Sequence, residues 1–135
     1  MNKSEIAEII NDDKTVGFLA TTDGSKPRCR PISAKYFFDK LLFSTFSGSE
    51  KMKQIADNPN VEMTWMFQDM SHLRFEGKIV MVDDMNLKKE FLDFHPMIKQ
   101  FFKSCDDPNY ALLEIKPSRV YLNKMGDMNY VDIDW

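Results

Sequence analysis

The stretch Arg28-Cys-Arg-Pro-Ile-Ser-Ala-Lys35, followed by Phe43-Ser-Thr-Phe-Ser-Gly-Ser-Glu-Lys-Met-Lys53, decides how the chain is read. Two basic residues two apart on a strand lead through a hairpin into a polar turn, and the turn opens a short helix. Thr45, Ser47, Gly48 and Ser49 are small hydrogen-bonding positions just before that helix, whose first N–H groups lack intrahelical acceptors and carry partial positive charge. Lys51 and Lys53 add cations where the helix dipole favours an anion. A phosphate-bearing ligand resolves that conflict.

Outward from this segment the elements are short. Asn2 and Glu5 form a capping box ahead of Ile6, Ile9 and Ile10, so residues 2–12 read as an amphipathic helix. Residues 15–22 read as a strand closed by Asp23-Gly24, and 27–38 as a second strand that turns at Asp39-Lys40 into a third, 41–45. Residues 49–57 form the helix after the polar turn, with Met52, Ile55 and Ala56 on one face and Asn58-Pro59 as its stop. Residues 61–67 and 73–82 make another antiparallel pair. Asp83 or Asp84 caps a helix bearing Leu87, Phe91, Leu92 and Phe94, interrupted at His95-Pro96 before a short piece, 97–102. The last strand, 110–122, carries Pro117 in its middle, which argues for a bulge or edge position there. The expected fold is mainly β with small helices: an antiparallel, six-stranded, closed or nearly closed barrel in one domain, 1–135.

Composition limits the function. With 135 residues, 43% hydrophobic, 11 Phe and 10 Met, the chain can bury roughly two-thirds of its unfolded surface. Met63, Met66 and Met81 read as core filler. A net charge of −3 and a pI of about 5.4 provide no general basic field for nucleic acid or an anionic membrane. Any anion site must be local. No apolar run approaches the ~20 residues of a membrane span, and two isolated thiols, Cys29 and Cys105, suit a reducing compartment. A cytoplasmic location is expected. His72 and His95 have no i,i+4 partner, so no metal site is expected.

Familiar phosphate devices are absent: there is no GxxxxGK[ST], and no GxGxxG follows a strand into a helix. Each element also has an ordinary reading, Arg28 and Arg30 as a solvated strand face and Thr45 to Ser49 as a helix cap. Their order together with Gln54-Ile, Asn58-Pro-Asn-Val61, Gly77-Lys78 and Asp106-Asp-Pro-Asn109 resembles the pyridoxamine 5′-phosphate oxidase-like split-barrel family of flavin-binding proteins, in its general-stress and nitroimidazole-reductase-like branches.

That resemblance implies FMN as cofactor, with its phosphate against Arg30, Thr45, Ser49 and Lys51 and with Arg28 and Ser44 beside them. It places Pro31, Ile32 and Ser33 along the flavin ring, and makes Lys35 the candidate cation for the reduced ring. It further implies a homodimer with FMN at the interface, reached by His72 from the second subunit. Glu50 stands where the oxidase has a second basic phosphate ligand. The oxidase's arginine-bearing C-terminal motif has no counterpart in Met128-Asn-Tyr-Val-Asp-Ile-Asp-Trp135, so vitamin B6 oxidation is not expected. The implied function is an FMN-dependent oxidoreductase acting on a small organic compound. A flavin-binding stress or sensing module without turnover, and a split barrel holding haem or deazaflavin, are the alternatives.

Overall fold

A computed structural model describes residues 1–135. Helix α1 (Lys3–Asn11) opens on the expected capping box: the Glu5 N–H donates to Asn2 Oδ1, and the Asn2 N–H donates to the Glu5 carboxylate. Strands β1 (Gly17–Asp23) and β2 (Lys26–Ile32) form the first hairpin, and β3 (Lys35–Phe37) and β4 (Lys40–Phe46) the second. Helix α2 (Glu50–Asp57), β5 (Asn60–Met66), β6 (His72–Met81), α3 (Met85–Phe94), a 3-10 helix (Pro96–Gln100), β7 (Tyr110–Asn123) and β8 (Tyr130–Asp132) complete the chain. Asp84, rather than Asp83, caps α3, accepting from the Asn86 and Leu87 N–H groups.

The structure has eight strands where about six were expected. One addition is β8, and the other arises because residues 27–38 divide at Ser33-Ala34 into β2 and β3. This division shapes the sheet. The strand order is β2-β1-β5-β6-β7-β4-β3, all antiparallel, with β8 also on β7. β2 and β3 therefore occupy opposite ends of the order while the chain joins them through two residues. A linker that short spans at most about 10 Å, so the two sheet edges must approach and the sheet curls into a split barrel.

The bulge expected near Pro117 is present. β6 and β7 slip register between Glu76 and Gly77, with Glu76 opposite Arg119 and Gly77 opposite Pro117, leaving Ser118 extra. On one side of this point β7 pairs with β4, from Tyr110 to Ile115, and beyond it the same edge takes β8. A proline, which has no N–H to donate, suits the changeover.

Alternation puts two cores on opposite faces of β4 and β7. Phe43 and Leu113 join Leu19, Met63, Trp65, Leu73 and Phe75 inside the barrel, and Ile6 and Ile10 of α1 belong to the same buried cluster. Leu42 and Leu112 face outward against Leu87, Phe91, Leu92, Ile98 and Phe102. Among the methionines, Met63 is fully buried, but Met66 and Met81 are exposed on outward-facing strand positions, so the core-filler reading fails for those two. The buried face of α2 also differs from expectation: Gln54 and Ile55 are buried, Met52 is half-buried and Ala56 is exposed.

Candidate functional site

Arg30 pairs with Leu19 across β1 and β2, and its half-buried guanidinium is held by three bonds. Nη1 donates to the Leu19 carbonyl (3.2 Å) and to Thr21 Oγ1 (2.8 Å), and Nη2 donates to Gln54 Oε1 (2.9 Å). Thr21 in turn donates its hydroxyl to the same Gln54 oxygen at 2.6 Å. These three bonds use three of the five guanidinium N–H groups. The Nε–H and one Nη2–H, which form the side fork, have no protein partner.

The second cation comes from α2. Lys51 Nζ donates to Thr45 Oγ1 at 2.7 Å, and the Ser49 hydroxyl lies 3.5 Å from the same oxygen. Ser49 is the N-cap of α2, yet its side chain makes no capping bond. The Glu50 and Lys51 N–H groups therefore keep their donor capacity, while the Met52 N–H already donates to the Ser49 carbonyl at 3.1 Å. Burial pushes the Lys51 amine below its ordinary range, and the positive charge of Arg30 adds to the shift. Burial lowers Arg30 as well.

No carboxylate makes an ion pair with either cation. Two partly desolvated positive charges are thus held close by neutral acceptors alone, an arrangement that disfavours the empty state and favours an anion. They border an open cleft of about 290 Å3 lined by Arg28, Cys29, Arg30, Ser49, Glu50, Lys51 and Gln54. Glu50 is exposed and unpaired there. A larger cleft of about 470 Å3, between residues 117–120 of β7 and the C-terminal segment, holds one cation, Arg119, already paired with Asp132 at 2.8 Å. It has no comparable excess of positive charge.

The remaining candidates lie in several places. Arg28 lines the cleft but reaches Asp23 at 3.5 Å. Pro31 and Ser33 are exposed along the end of β2, with Ile32 packed against the barrel core. Ser33 Oγ sits 3.1 Å from Nε2 of buried His95, whose pKa burial lowers. Lys35 is buried, its Nζ donating to the Asn11 carbonyl (3.0 Å) and to Asp13 (2.9 Å), so it ties the end of α1 to β3. Ser44 alternates away from Thr45 toward the face of Leu42 and the α3 core. His72 starts β6 opposite Met66, near the Tyr130 ring.

Arg30, Thr45, Ser49 and Lys51 are therefore brought together, while Lys35, Ser44 and His72 are outside this cluster in the single chain. Thr21 and Gln54 belong to the cluster as well; sequence reasoning assigned Thr21 no role, and Gln54 entered only as part of the Gln54-Ile motif, not as a site residue. A physical signal beside that motif is the position of Gln54 at i+3 from Lys51, which puts the two on one helix face.

The family model for pyridoxamine 5′-phosphate oxidase matches residues 3–124. General stress protein 26 of Bacillus subtilis (strain 168) is 27% identical over 138 residues, spanning 98% of this chain and 95% of that protein. Among solved structures, a NimC/NimA family protein of Clostridium acetobutylicum superposes with a TM-score of 0.81 at 24% identity, covering 96% of this chain and 87% of that one. A pyridoxamine 5′-phosphate oxidase-related, FMN-binding protein of Nostoc punctiforme superposes with a TM-score of 0.76 at 17% identity, covering 96% and 88%. These two structures share the fold. With the match running through all of β1 to β7, the chain belongs to the pyridoxamine 5′-phosphate oxidase family.

Proposed function

We propose that this chain is an FMN-binding flavoprotein acting as an oxidoreductase on a small organic compound. The observation that carries the proposal is the Arg30–Lys51 pair: two partly buried cations, neither of them paired with a carboxylate, beside the start of α2, where the Ser49 side chain makes no capping bond. The phosphoester of FMN matches that charge, and a site residue set of Arg30, Thr45, Ser49 and Lys51 would hold it, with Arg28 at the rim. The segment Pro31 to Ser33, exposed at both of its ends, would carry the ring. FMN, when bound, supplies the hydride or electron chemistry. The chain's own work is to bind the phosphate, orient the ring and limit water around it.

The homodimer belongs to the same proposal. Small barrels fill with their own side chains, as this one does with Trp65, Phe75 and Phe43, so a flavin ring must lie outside against a second surface. His72, on the outer face with Met66, would reach it from the partner. Likeness to a general stress protein favours a second reading, a flavin-binding stress module without turnover.

Two measurements test these readings. The purified protein should show, alone or after addition of FMN, a flavin absorbance spectrum perturbed from that of free FMN, and should bind FMN at least about a hundredfold more tightly than riboflavin. Equal affinities would overturn the phosphate seat. Turnover of NAD(P)H with a nitroaromatic or flavin acceptor separates the enzyme from the module.

A further inference from the structure

The α2 face that meets Arg30 carries an amide where charge pairing alone would favour a carboxylate. Gln54 is 8% exposed, and its Oε1 accepts from both Thr21 Oγ1 and Arg30 Nη2. Thr21, 2% exposed, closes the ring by accepting from Arg30 Nη1. The terminal fork of the guanidinium, Nη1 and Nη2, is thereby pinned, and the side fork of Nε–H and the second Nη2–H is left for a ligand. A glutamate at the same position would hold the fork more strongly, but would cancel the charge it orients.

Resting on the FMN reading above, we infer that Gln54, seconded by Thr21, is a positioning and specificity residue that aims Arg30 at a phosphoester while leaving its full charge available. Such a residue acts on the difference between a phosphorylated and an unphosphorylated flavin. A merely structural residue would alter both affinities alike. At neutral pH a phosphomonoester carries between one and two negative charges, so one carboxylate placed against Arg30 removes a large part of the electrostatic complement.

The test compares FMN and riboflavin affinities, by fluorescence quenching, in the wild-type chain, in Gln54→Glu and in the near-isosteric Thr21→Val. Gln54→Glu should lose about tenfold or more in FMN affinity, the equivalent of one charge-assisted bond, with riboflavin affinity changed less than about threefold on the same scale. Thr21→Val, which keeps the charge and removes one anchor, should lower the FMN-to-riboflavin ratio by a smaller factor. An unchanged ratio in Gln54→Glu, or equal losses for both flavins, overturns the inference. Equal binding of FMN and riboflavin by the wild-type chain overturns the flavin reading instead. The inference is then decided by inorganic phosphate, which should raise the melting temperature of wild-type apoprotein and leave Gln54→Glu unmoved. Equal shifts, or none in the wild type, overturn it.

Discussion

Lys51 donates to the Thr45 hydroxyl at 2.7 Å and to no carboxylate. Its amine is held below the ordinary value of 10.5 first by burial and then by Arg30. A lysine whose folded pKa lies below its unfolded one destabilises the fold while it is charged, and that cost disappears as pH rises through the lowered value toward 10.5. An anion at the cleft offsets the same cost. Inorganic phosphate should therefore raise the melting temperature of the apoprotein by about 4–6 °C near neutral pH when present at roughly ten times its Kd. The gain should fade as pH rises through the lowered pKa, earlier than for an ordinary lysine, and should shrink in Lys51→Met. A phosphate effect that persists unchanged in Lys51→Met would assign the anion to other groups.

Gly77 faces the bulge in β7. A Cβ placed there would lie 2.3 Å from the Lys116 carbonyl oxygen and 3.0 Å from Pro117 Cα, both backbone atoms that cannot swing aside. Gly77→Ala should cost roughly 1–3 kcal/mol in urea denaturation. Because the added methyl would press on the bulge itself, the slip between Glu76 and Gly77 should be lost or displaced in that variant. Unchanged stability would mean that β7 shifts freely at Ser118.

The bulge was legible because proline cannot donate to a ladder, and α1 and α3 were legible through their caps. The break at Ser33-Ala34 was not. Neither residue is a glycine or proline, and the nearest breaker, Pro31, lies within β2 itself rather than at the break. What divides the segment from Pro27 to Phe38 is closure of the sheet, a long-range constraint. β8 escaped for another reason: all three of its residues are exposed, so it has no alternating pattern to read. At the site, the charged members Arg30 and Lys51 stood out, but Gln54 entered only within a motif and without a role. A buried amide on a helix face is recognisable only once its partner from β2 is known.

Trp135 follows β8. Its ring meets Phe75 edge-on at 4.7 Å and Tyr36 at 5.3 Å, and Lys3 Nζ lies 5.2 Å from its centre. It therefore joins the C-terminal segment, the barrel core, β3 and α1. Trp135→Ala should cost about 2–3 kcal/mol, below the full value for a buried tryptophan because the ring is partly exposed. Guanidinium denaturation followed by far-UV circular dichroism measures it, and a loss under about 0.5 kcal/mol, the usual scatter of surface substitutions, would show that the segment contributes nothing to the fold.

Phe18 and Met66 are 42% and 58% exposed on the face of β1 and β5 opposite the barrel core, where Phe18 pairs with Pro31 on one side and Thr64 on the other. His72 faces Met66 across β5 and β6. This apolar strip therefore adjoins the segment proposed to carry the flavin ring, and burying it against a second copy would cover ring and strip together. Sedimentation should show a homodimer whose association FMN tightens, with FMN released on dilution. Phe18→Asp should shift the equilibrium toward monomer and weaken FMN binding in parallel, while leaving the melting temperature of the apo monomer nearly unchanged, since the side chain is outside both cores. A monomer that retains full FMN affinity would overturn both the shared site and the role of His72 from the partner.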